Sequence, residues 1–484
     1  MITGKYWKLH DDATIGKLDA AAVRLLTGSG ARIDHDGLLD MLEGAGGLID
    51  RSSRRCRFPE ALIREAIGHV GGKCGPDVEI PAGWGPLTRT GQEGNFPHLV
   101  DWPSGRRRLA TRQDVVDMAR MAHSLDEISR VGKVVATHEV DHRIEPLWNA
   151  LQLAQITDKP IRGGDILHAS SIAPLVAMGE VLSGVAGDTS LVTSCDFFIA
   201  PLILDPRQAE CFLEKRRFGL PNVPGTMPIS GMSAPVTVAG TVALALAELM
   251  VGWVLGYVVA PELPAGGIVS TGSLDMRTTS ACFGSPEAML QDCSVVNICQ
   301  RLYGIDVHAA IGYTECKRPG IEATFQKMFA LLGLPFGTSH RIGDGGLLSA
   351  GQDYCPVQHM LDIEMCKAIE RFRGHYEVSD DTLAVELIER MTRAEAINFL
   401  DTDHTLRHYR AEQWYPRWFD RSYWQGDEAE VGAETAMLER IDRYCKDAID
   451  GYERPDIDES KIAELKRIFL AAEREIVGSN VTDV

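Results

Sequence analysis

Short apolar segments alternate with helical segments along the middle of this chain, and this alternation restricts the possible folds more than any other feature. Seven apolar segments predict β-strands, at residues 128–137, 159–164, 191–201, 222–231, 266–273, 305–312 and 336–342. A helix is predicted before each of them, at residues 112–122, 145–156, 172–182, 206–217, 238–258, 286–303 and 321–332. Strands that are joined by helical crossovers pair in parallel, so the pattern predicts an α/β fold.

The number of strands decides between a closed barrel and an open sheet. Eight such units close a TIM (β/α)8 barrel, and the glycine-rich segment 345–354 is the candidate for the eighth strand. No G-x-G-x-x-G run follows the first strand, although such a run is typical of dinucleotide-binding open sheets. We therefore favour a barrel, which we expect to span residues 111–375.

The two ends of the chain lack this rhythm. Residues 1–110 predict a small N-terminal α+β unit followed by two extended segments that a turn at 103–105 joins into a hairpin. Residues 376–484 predict a C-terminal helical extension without strands, in which Ser379 is placed to cap the first helix. We expect this extension to pack on the barrel or on another subunit of a homo-oligomer.

The charge of the chain excludes a general role in nucleic-acid binding. The 484 residues carry a formal net charge of -19, whereas contacts to phosphate need a basic surface. Arg106, Arg107 and Arg108 form a basic run, which we interpret as a solvated hairpin tip rather than an anion site.

Three features favour a cytoplasmic protein that does not associate with a membrane. The N-terminal residues lack the apolar core of a secretory signal. The eleven cysteines form no C-x-x-C pair, which is typical of reduced thiols. The longest apolar run, 236–260, carries Glu248 near its centre and therefore predicts a buried helix rather than a membrane span.

The histidines do not form a recognisable metal motif, and we expect no intrinsic metal. His404 and His408 are four residues apart, but the segment between them lacks the acidic residue of a metalloprotease helix, so packing is the favoured interpretation. His138, Asp141 and His142 follow the first predicted strand and could face the barrel mouth, although a solvated loop is the simpler interpretation.

A polar cluster follows the predicted strand at 305–312. It consists of Tyr313, Thr314, Glu315, Cys316 and Lys317, and a Pro-Gly pair separates it from the next helix. In a β/α barrel the carboxyl ends of the strands carry the active site. The sequence therefore predicts that this cluster takes part in the chemistry.

Several segments, in order, resemble the trimethylamine methyltransferase family of corrinoid-dependent enzymes. They are APLILDPRQAE (200–210), SAPVTVAGTVALALAELMVGWVL (233–255), GSPEAML (284–290), YTECKRP (313–319) and HTLRHYRAEQWYPRWFDR (404–421). The resemblance covers nearly the whole chain, and it is the order of these segments that makes it specific.

This resemblance implies a TIM-barrel methyltransferase that moves a methyl group from a methylated amine to the Co(I) of a corrinoid (cobalamin). The corrinoid is carried by a separate partner protein. Founding members of the family carry pyrrolysine at the end of a barrel strand, followed by a Ser-Asp-x-Lys run. The matching run here is 314–317, so Tyr313 stands at the pyrrolysine position.

Tyrosine cannot supply the electrophile with which pyrrolysine is thought to capture a free tertiary amine. The resemblance therefore implies the branch of the family that lacks pyrrolysine, which acts on glycine betaine and other quaternary amines. A quaternary ammonium already carries its charge and leaves as a neutral amine, so the enzyme needs mainly to position and desolvate it. Such a cation has no N–H and is best recognised by aromatic faces and diffuse negative charge.

On that basis we assign roles to individual residues. Tyr313 is expected to supply a ring face or hydroxyl, and Glu315 to supply negative charge near the cation unless it pairs with Lys317. The residues expected to contact the substrate are His340, which would bind a carboxylate, Tyr354 as a second cage wall, Ser230, Met232 and Thr271, with Glu93 as a more distant candidate.

Other functions remain open on the sequence alone. One is a tertiary-amine methyltransferase that acts by a mechanism without pyrrolysine. Another is a non-catalytic barrel that binds a betaine or a corrinoid protein as a sensor or scaffold. A zinc-dependent methyltransferase barrel is disfavoured because a credible set of His and Cys ligands is missing from the sequence.

Overall fold

A computed structural model describes residues 9–71, 90–92, 94–310, 312–337, 345–373, 376–393, 398–423 and 432–478. The chain has a mixed α/β fold. Its N-terminal part consists of α1 (Asp12–Gly28), β1 (Ala31–Ile33), α2 (Asp36–Gly44), β2 (Leu48–Asp50), β3 (Arg55–Arg57) and α3 (Glu60–Val70). These strands form a small sheet in which β1 also pairs in parallel with Ile203–Leu204 from the middle of the chain.

An extended region follows, with β4 (Thr90–Gln92), β5 (His98–Asp101) and β6 (Arg106–Leu109). The predicted hairpin is confirmed, because β5 and β6 pair antiparallel across the turn. Arg106 and Arg107 are exposed on β6, as the interpretation of a solvated run expects, and Arg108 is half-buried. Two of the three arginines also form ion pairs. Arg107 donates to the buried carboxylate of Asp353 at 2.7 Å, and Arg108 donates to Asp114 at 2.6 Å.

The central region alternates helices and strands, as predicted. Its helices are α4 (Arg112–Ser124), α5 (Glu145–Ile156), α6 (Ile172–Ser183), α7 (Pro206–Arg217), α8 (Val238–Val259), α9 (Pro286–Ile298), α10 (Ile321–Gly337) and α11 (Pro356–Arg373). Its strands are β7 (Ile128–Gly132), β8 (Ile161–Arg162), β9 (Cys195–Phe197), β10 (Ile203–Leu204), β11 (Val223–Thr226), β12 (Ile229–Ser230), β13 (Gly267–Val269), β14 (Gly272–Asp275), β15 (Ser280–Cys282), β16 (Val307–Ala309), β17 (Leu347–Leu348) and β18 (Asp353–Tyr354). Ser285 caps α9, because its hydroxyl oxygen accepts from the N–H of Ala288.

The parallel strands form two sheets in which the strands follow their order along the chain. One sheet has the order β4-β7-β8, and the other has the order β9-β11-β13-β16. All pairs within these two sheets are parallel. Helical crossovers between sequential strands therefore produce the pairing that the alternation predicted.

The strands differ from the prediction at three places. The parallel series begins earlier than expected, at β4, because this short segment pairs with β7 although its surroundings are rich in Gly and Pro. The segment 345–354 is instead an antiparallel hairpin of β17 and β18, and β18 pairs with β5. The predicted strand at 336–342 overlaps the end of α10, and its remainder lies outside the described residues.

Helix α8 lies in the interior of the protein. It is long and apolar enough to cross a membrane by composition, but most of it is buried. It packs against α1, α3 and α9, so one hydrophobic core runs from the N-terminal part into the central region. The apolar run at 236–260 is therefore a core helix, as Glu248 led us to expect.

Glu248 is fully buried in the middle of α8 and anchors the loop that follows β9. Its carboxyl group accepts hydrogen bonds from the N–H of Leu202 at 2.9 Å and from the hydroxyl of Thr226 at 2.5 Å. Burial raises the pKa of this carboxyl group to about 7. The two hydrogen bonds oppose that shift but do not cancel it.

The C-terminal part is helical, as predicted. It consists of α12 (Asp380–Leu383), α13 (Val385–Thr392), α14 (Asp403–Glu412), α15 (Ala433–Asp450) and α16 (Glu459–Ile476). Helices α15 and α16 bury apolar side chains against α4, α5 and α6. The division of the chain at residues 110 and 375 stays a prediction.

The buried carboxyl group of Glu248 makes the stability of the protein depend on pH. In the unfolded chain this group titrates near its ordinary pKa of 4.5, whereas in the folded chain it titrates near 7. The energetic penalty of ionising it is therefore absent below pH 4.5, grows up to pH 7 and is constant above. We compare the free energy of unfolding of Glu248→Gln with that of the wild type at pH 5 and at pH 8. The advantage of the variant should be about 3 kcal/mol greater at pH 8 than at pH 5.

Urea denaturation of the two proteins at both pH values measures this difference. Glu439→Gln is the control, because Glu439 is an exposed glutamate in the middle of α15, and its effect should be equal at both pH values. An equal effect of Glu248→Gln at pH 5 and pH 8 would contradict the prediction.

Candidate active site

The loop after β16 is held by one amide side chain on the following helix. Thr314 is fully buried, and its hydroxyl donates to Oε1 of Gln326 on α10. The N–H of Glu315 donates to the same oxygen at 3.1 Å, and the N–H of Cys316 donates to the Thr314 hydroxyl at 3.2 Å. The neighbours of Thr314, Tyr313 and Glu315, are half-buried. The buried residue thus fixes the backbone from which both predicted catalytic side chains project.

Glu315 is fixed by two backbone donors. One carboxylate oxygen, Oε1, accepts from the N–H of Phe283 at 2.6 Å and from the N–H of Gly284 at 2.8 Å. Within the part of the chain that the structure describes, no ion pair joins this carboxylate to Lys317. The two hydrogen bonds hold the carboxylate of Glu315 in one orientation, and its partner is the segment between β15 and α9.

Tyr313 packs against a second aromatic ring. The ring centroids of Tyr313 and Phe283 are 5.2 Å apart and the ring planes are inclined by 36°, and both side chains are half-buried. Since Phe283 also donates its N–H to Glu315, the two rings and the carboxylate lie around one corner of the protein. We call Tyr313, Phe283 and Glu315 the aromatic corner.

A strained turn supports the aromatic corner from the other side. Ser349 and Ala350 donate their N–H groups to the carbonyl oxygens of Cys316 and Thr314, at 2.8 and 2.7 Å. Both residues have positive φ, at 50° and 56°, and Gly351 follows with φ 81°. A Cβ atom on Gly351 would lie 2.5 Å from Cε1 of Tyr313. The ring of Tyr313 therefore occupies the space that any other residue at position 351 would fill.

Cys316 is a buried thiol in the loop after β16. Its side chain is 3% exposed, and burial raises the pKa of the thiol to about 11. The thiol is therefore protonated at neutral pH, and it fills space between the loop and α10.

Ser230 and Met232 are connected to the aromatic corner through one sheet. Ser230 is buried on β12, which pairs with β14, and β14 continues through β15 to Phe283. Met232 lies in the turn after β12 and is 58% exposed. The sheet β12-β14-β15 thus connects both residues to the segment that holds Glu315.

Thr271 and Tyr354 are enclosed by protein. The Thr271 hydroxyl donates to Asp292 at 2.7 Å and to the carbonyl of Ala288 at 3.0 Å. The Tyr354 hydroxyl contacts Nδ1 of His359 at 2.8 Å and accepts from Gln92 at 3.3 Å. Both hydroxyls are bonded inside the protein, and the expected substrate contacts of these residues stay predictions. His340 and Glu93 lie outside the described residues.

The structure also describes the surroundings of His404, His408 and His142, which the sequence singled out. The rings of His404 and His408 lie 4.5 Å apart on α14, and both contact Asp381. His142 lies beside His168, with 4.9 Å between the ring centroids. Among the described residues, no group of three or more His, Cys, Asp and Glu side chains is arranged to hold a metal ion.

Three residues of the site escaped the sequence analysis. Phe283 lies directly before the segment 284–290, Gln326 lies inside a predicted helix, and Gly351 lies in a predicted strand. The spacing of residues along the chain carries no signal for these contacts, because each of them joins Tyr313 or Glu315 to a segment that is distant in sequence.

The chain matches the family described as Trimethylamine methyltransferase (MTTB) over residues 3–477. Trimethylamine methyltransferase MttB of Desulfitobacterium hafniense is 24% identical over 417 residues, which is 83% of this chain and 82% of that protein. Trimethylamine methyltransferase MttB1 of Methanosarcina acetivorans is 25% identical and covers 95% of this chain and 94% of its own. Glycine betaine methyltransferase of Desulfitobacterium hafniense is 22% identical and covers 73% of this chain and 74% of its own.

Among solved structures, the chain is similar to the monomethylamine methyltransferase MtmB of Methanosarcina barkeri. It is 12% identical in sequence, with a TM-score of 0.44, and the match covers 92% of this chain and 95% of that chain.

The contact between Gly351 and Tyr313 leads to a specific expectation. Gly351→Ala would push the ring of Tyr313 out of the aromatic corner and would also place alanine at a positive φ. Gly187→Ala is the matched control, because Gly187 has φ 73° and open space around its Cβ position. Each substitution carries a backbone penalty of about 1–2 kcal/mol, but Gly351→Ala should additionally abolish ligand binding or activity. Equal activity of the two variants would contradict this assignment.

Proposed function

The chain belongs to the trimethylamine methyltransferase family, and from this we propose that it transfers a methyl group from a quaternary amine to a corrinoid. The substrate would be betaine-like, and the corrinoid would be carried by a separate small protein. Membership of the family makes the chain a methyltransferase. The choice of substrate and of methyl acceptor is the proposed part.

The aromatic corner is the observation that carries this proposal. A quaternary ammonium ion offers no N–H to an acceptor, and it binds best over aromatic faces with a negative charge nearby. The rings of Tyr313 and Phe283 and the carboxylate of Glu315 supply both. Because the backbone fixes Oε1 of Glu315, little reorganisation accompanies binding, which favours catalysis by positioning.

Each of these residues has a defined task in the proposed reaction. Glu315 stabilises the cation in the bound substrate. Tyr313 and Phe283 exclude water from the methyl groups and restrict their orientation. Tyrosine forms no adduct with a free amine, so the site is better suited to a substrate that is already quaternary. When the methyl group is transferred, its bond to nitrogen breaks and the substrate becomes a neutral tertiary amine.

The acceptor is expected to be the Co(I) centre of the corrinoid, which supplies a strong nucleophile when the partner protein is docked. The surface beside the site fits such a partner, because Met232, Val236 and Met276 are 58%, 69% and 71% exposed. Val236 and Met276 both lie within 3.8 Å of the Cβ position of Gly231 and so form one patch. Exposed apolar patches are typical of contact surfaces, and methionine adapts to different partners.

We further propose that the parallel strands belong to one TIM barrel. In both parallel sheets the strands follow the order of the chain, whereas a doubly wound sheet reverses its order at a switch point. The two sheets contain seven parallel strands, from β4 to β16, and these would supply seven of the eight units. The aromatic corner follows β16, which is consistent with a site at the carboxyl ends of the strands.

A second candidate is a tertiary-amine methyltransferase, and the names of several relatives favour it. Relatives that cover more than nine-tenths of this chain are named trimethylamine methyltransferases. With Tyr313 at the pyrrolysine position, this function would need an amine-capturing group that is different from the one in the founding members.

A thermal-shift screen separates the two candidates. The ligands are glycine betaine, proline betaine, carnitine, choline and trimethylamine, with tert-butylacetate as an uncharged-head analogue of glycine betaine. At about 100 times its Kd, a ligand adds about 2.7 kcal/mol to the free energy of unfolding and raises Tm by a few degrees. We expect a shift with a betaine and none with tert-butylacetate. A shift with trimethylamine alone would favour the second candidate.

Variants of the aromatic corner test the site itself. Glu315→Gln keeps an oxygen that can accept from the N–H groups of Phe283 and Gly284 but removes the charge. We expect its Kd for the betaine to rise about tenfold or more, which corresponds to about 1.4 kcal/mol. Tyr313→Ala should have a similar effect. Glu287→Gln, which removes an exposed carboxylate at the start of α9, is the control and should bind as the wild type does.

A further inference from the structure

The tip of the hairpin β5–β6 lies against the loop that follows β16. The guanidinium group of Arg318 in that loop packs on Gly105 in the turn of the hairpin, since a Cβ atom on Gly105 would lie 2.4 Å from Nε of Arg318. Gly105 has φ 64°, a conformation that glycine adopts without strain. This contact brings together two segments that are distant in the sequence.

The same hairpin is fixed from the side of β18. Strand β18 pairs with β5, and Arg107 on β6 donates to Asp353 on β18 at 2.7 Å. The turn between β17 and β18 also holds the loop after β16, because two of its N–H groups donate to the carbonyl oxygens of Thr314 and Cys316. The hairpin, the turn and the loop therefore form one surface next to the aromatic corner.

Three cations on this surface have no carboxylate partner. Arg106 on the hairpin and Lys317 and Arg318 in the loop are exposed. None of the three forms an ion pair within the ranges that the structure describes. We call Arg106, Lys317 and Arg318 the basic patch.

The carboxylates of the hairpin and of β18 are already engaged by other arginines. Asp353 pairs with Arg107, and Asp101 pairs with Arg108. Glu315 directs Oε1 at backbone N–H groups between β15 and α9. Intramolecular contacts therefore use these negative charges and leave the basic patch positive.

Two further carboxylates approach the loop from the side of α10. Glu322 lies beside the thiol of Cys316, and Oε1 of Glu434 lies 3.4 Å from the Cβ position of Gly320. Neither of them pairs with a cation of the basic patch among the described residues. The basic patch thus presents three unpaired positive charges on a chain whose net charge is -19.

Lys317 extends the basic patch to the aromatic corner. Burial and the charge of Glu315 raise the pKa of the Cys282 thiol, whereas the charge of Lys317 acts in the opposite direction, so Lys317 lies near Cys282. Cys282 ends β15 and is followed by Phe283 of the corner. At the other end of the pair β14–β15 lies Met276, which is 71% exposed and belongs to the apolar patch described above. One pair of strands therefore connects the basic patch, the corner and the apolar patch.

We propose that the basic patch is a docking site for an acidic surface of a second protein. Unpaired cations on an acidic chain attract a negatively charged partner, steer its approach and fix its orientation. Apolar residues with a charged rim are the usual composition of a protein–protein interface. Nucleic acid fits less well, because three cations do not supply the extended basic surface that a phosphate backbone needs.

The docked protein is the carrier of the methyl acceptor, and this identification rests on the proposed function. Lys317 and Glu315 are separated by one residue, so an acidic surface on the patch would lie over the aromatic corner. It would exclude water from the bound substrate. The docking site itself rests on the unpaired cations and does not depend on the substrate.

Binding of an acidic peptide to the purified full chain tests this inference. The probe is a short fluorescein-labelled oligoglutamate, and its anisotropy is measured. We expect a Kd of about 10–100 μM at roughly 50 mM salt, and a Kd about tenfold higher at roughly 500 mM salt, because salt screens the attraction. A wild-type chain that does not bind the probe, or binds it equally at both salt concentrations, would overturn the inference.

A triple variant locates the binding site. Replacing Arg106, Lys317 and Arg318 by Gln should raise the Kd for oligoglutamate by about tenfold or more. The single substitutions should each have a smaller effect in the same direction, and they serve if the triple variant fails to fold.

The matched control removes the same charge from another part of the chain. Lys17, Arg24 and Arg57 are exposed cations of the N-terminal part, and they also lack an ion pair among the described residues. Replacing these three by Gln should change the Kd by less than about twofold. An equal loss of binding in both triple variants would show a general attraction of charges and would refute a defined docking site.

Ligand binding by two variants distinguishes failure of this inference from failure of the proposed function. Glu315→Gln, which should weaken betaine binding, is expected to bind oligoglutamate at least as tightly as the wild type. Arg106→Gln combined with Arg318→Gln should lose oligoglutamate and keep the thermal shift with the betaine. If no amine binds to any of these proteins, the proposed function fails, and the peptide still decides the docking site. Loss of peptide binding in Glu315→Gln would contradict the inference.

A nucleic-acid probe tests the alternative partner. A labelled oligothymidylate with the same charge as the peptide replaces it in the anisotropy measurement. We expect the oligothymidylate to bind more weakly, because the basic patch reaches few phosphates. Tighter binding of the oligothymidylate, lost on replacing the three cations of the patch, would assign the patch to nucleic acid and overturn the inference.

Discussion

Buried carboxyl groups that accept backbone N–H groups determine how the loops of this protein are arranged. Glu145 accepts from Thr137, Glu248 from Leu202, Asp292 from Thr271 and Asp362 from Gly346, at 2.7–2.9 Å. In each of these pairs a residue of a helix reaches the backbone of a neighbouring loop. A buried N–H without a partner is costly, so each carboxyl group ties a loop to a helix and restricts its position. These contacts, together with the hydrophobic core, fix the positions of the four loops.

Glu315 repeats this interaction with a difference that matters for function. It also accepts from backbone N–H groups, at Phe283 and Gly284, but it is half-buried and lies in a loop. Its charge is therefore fixed in place and still lies beside two aromatic rings. The four carboxyl groups described above are buried. Glu315 makes the same kind of contact at the surface, where its carboxylate can contact a ligand. The strained turn at 349–351 and the amide of Gln326 hold the loop in this position.

The helices were predictable because their signals are local. Apolar periodicity and capping residues such as Ser285 act within a few residues, and α5 and α7 begin and end where the sequence predicts. Strand β4 was missed, because three residues among Gly and Pro carry no period of their own, and only pairing with β7 makes them a strand. The hairpin of β17 and β18 was interpreted as one strand for a similar reason, since its turn contains non-glycine residues at positive φ. Sequence patterns do not predict such a conformation.

The sequence by itself determined the α/β class, the order of the central helices and the position of Tyr313 and Glu315 after a strand. These properties depend on periodicity and on neighbours along the chain. Only the tertiary structure decided that Phe283 completes the corner, that Glu315 bonds to backbone rather than to Lys317, and that Thr271 and Tyr354 are enclosed. Each of these outcomes depends on contacts between distant segments, and their distances are set by the packing of helices and strands rather than by spacing in the sequence.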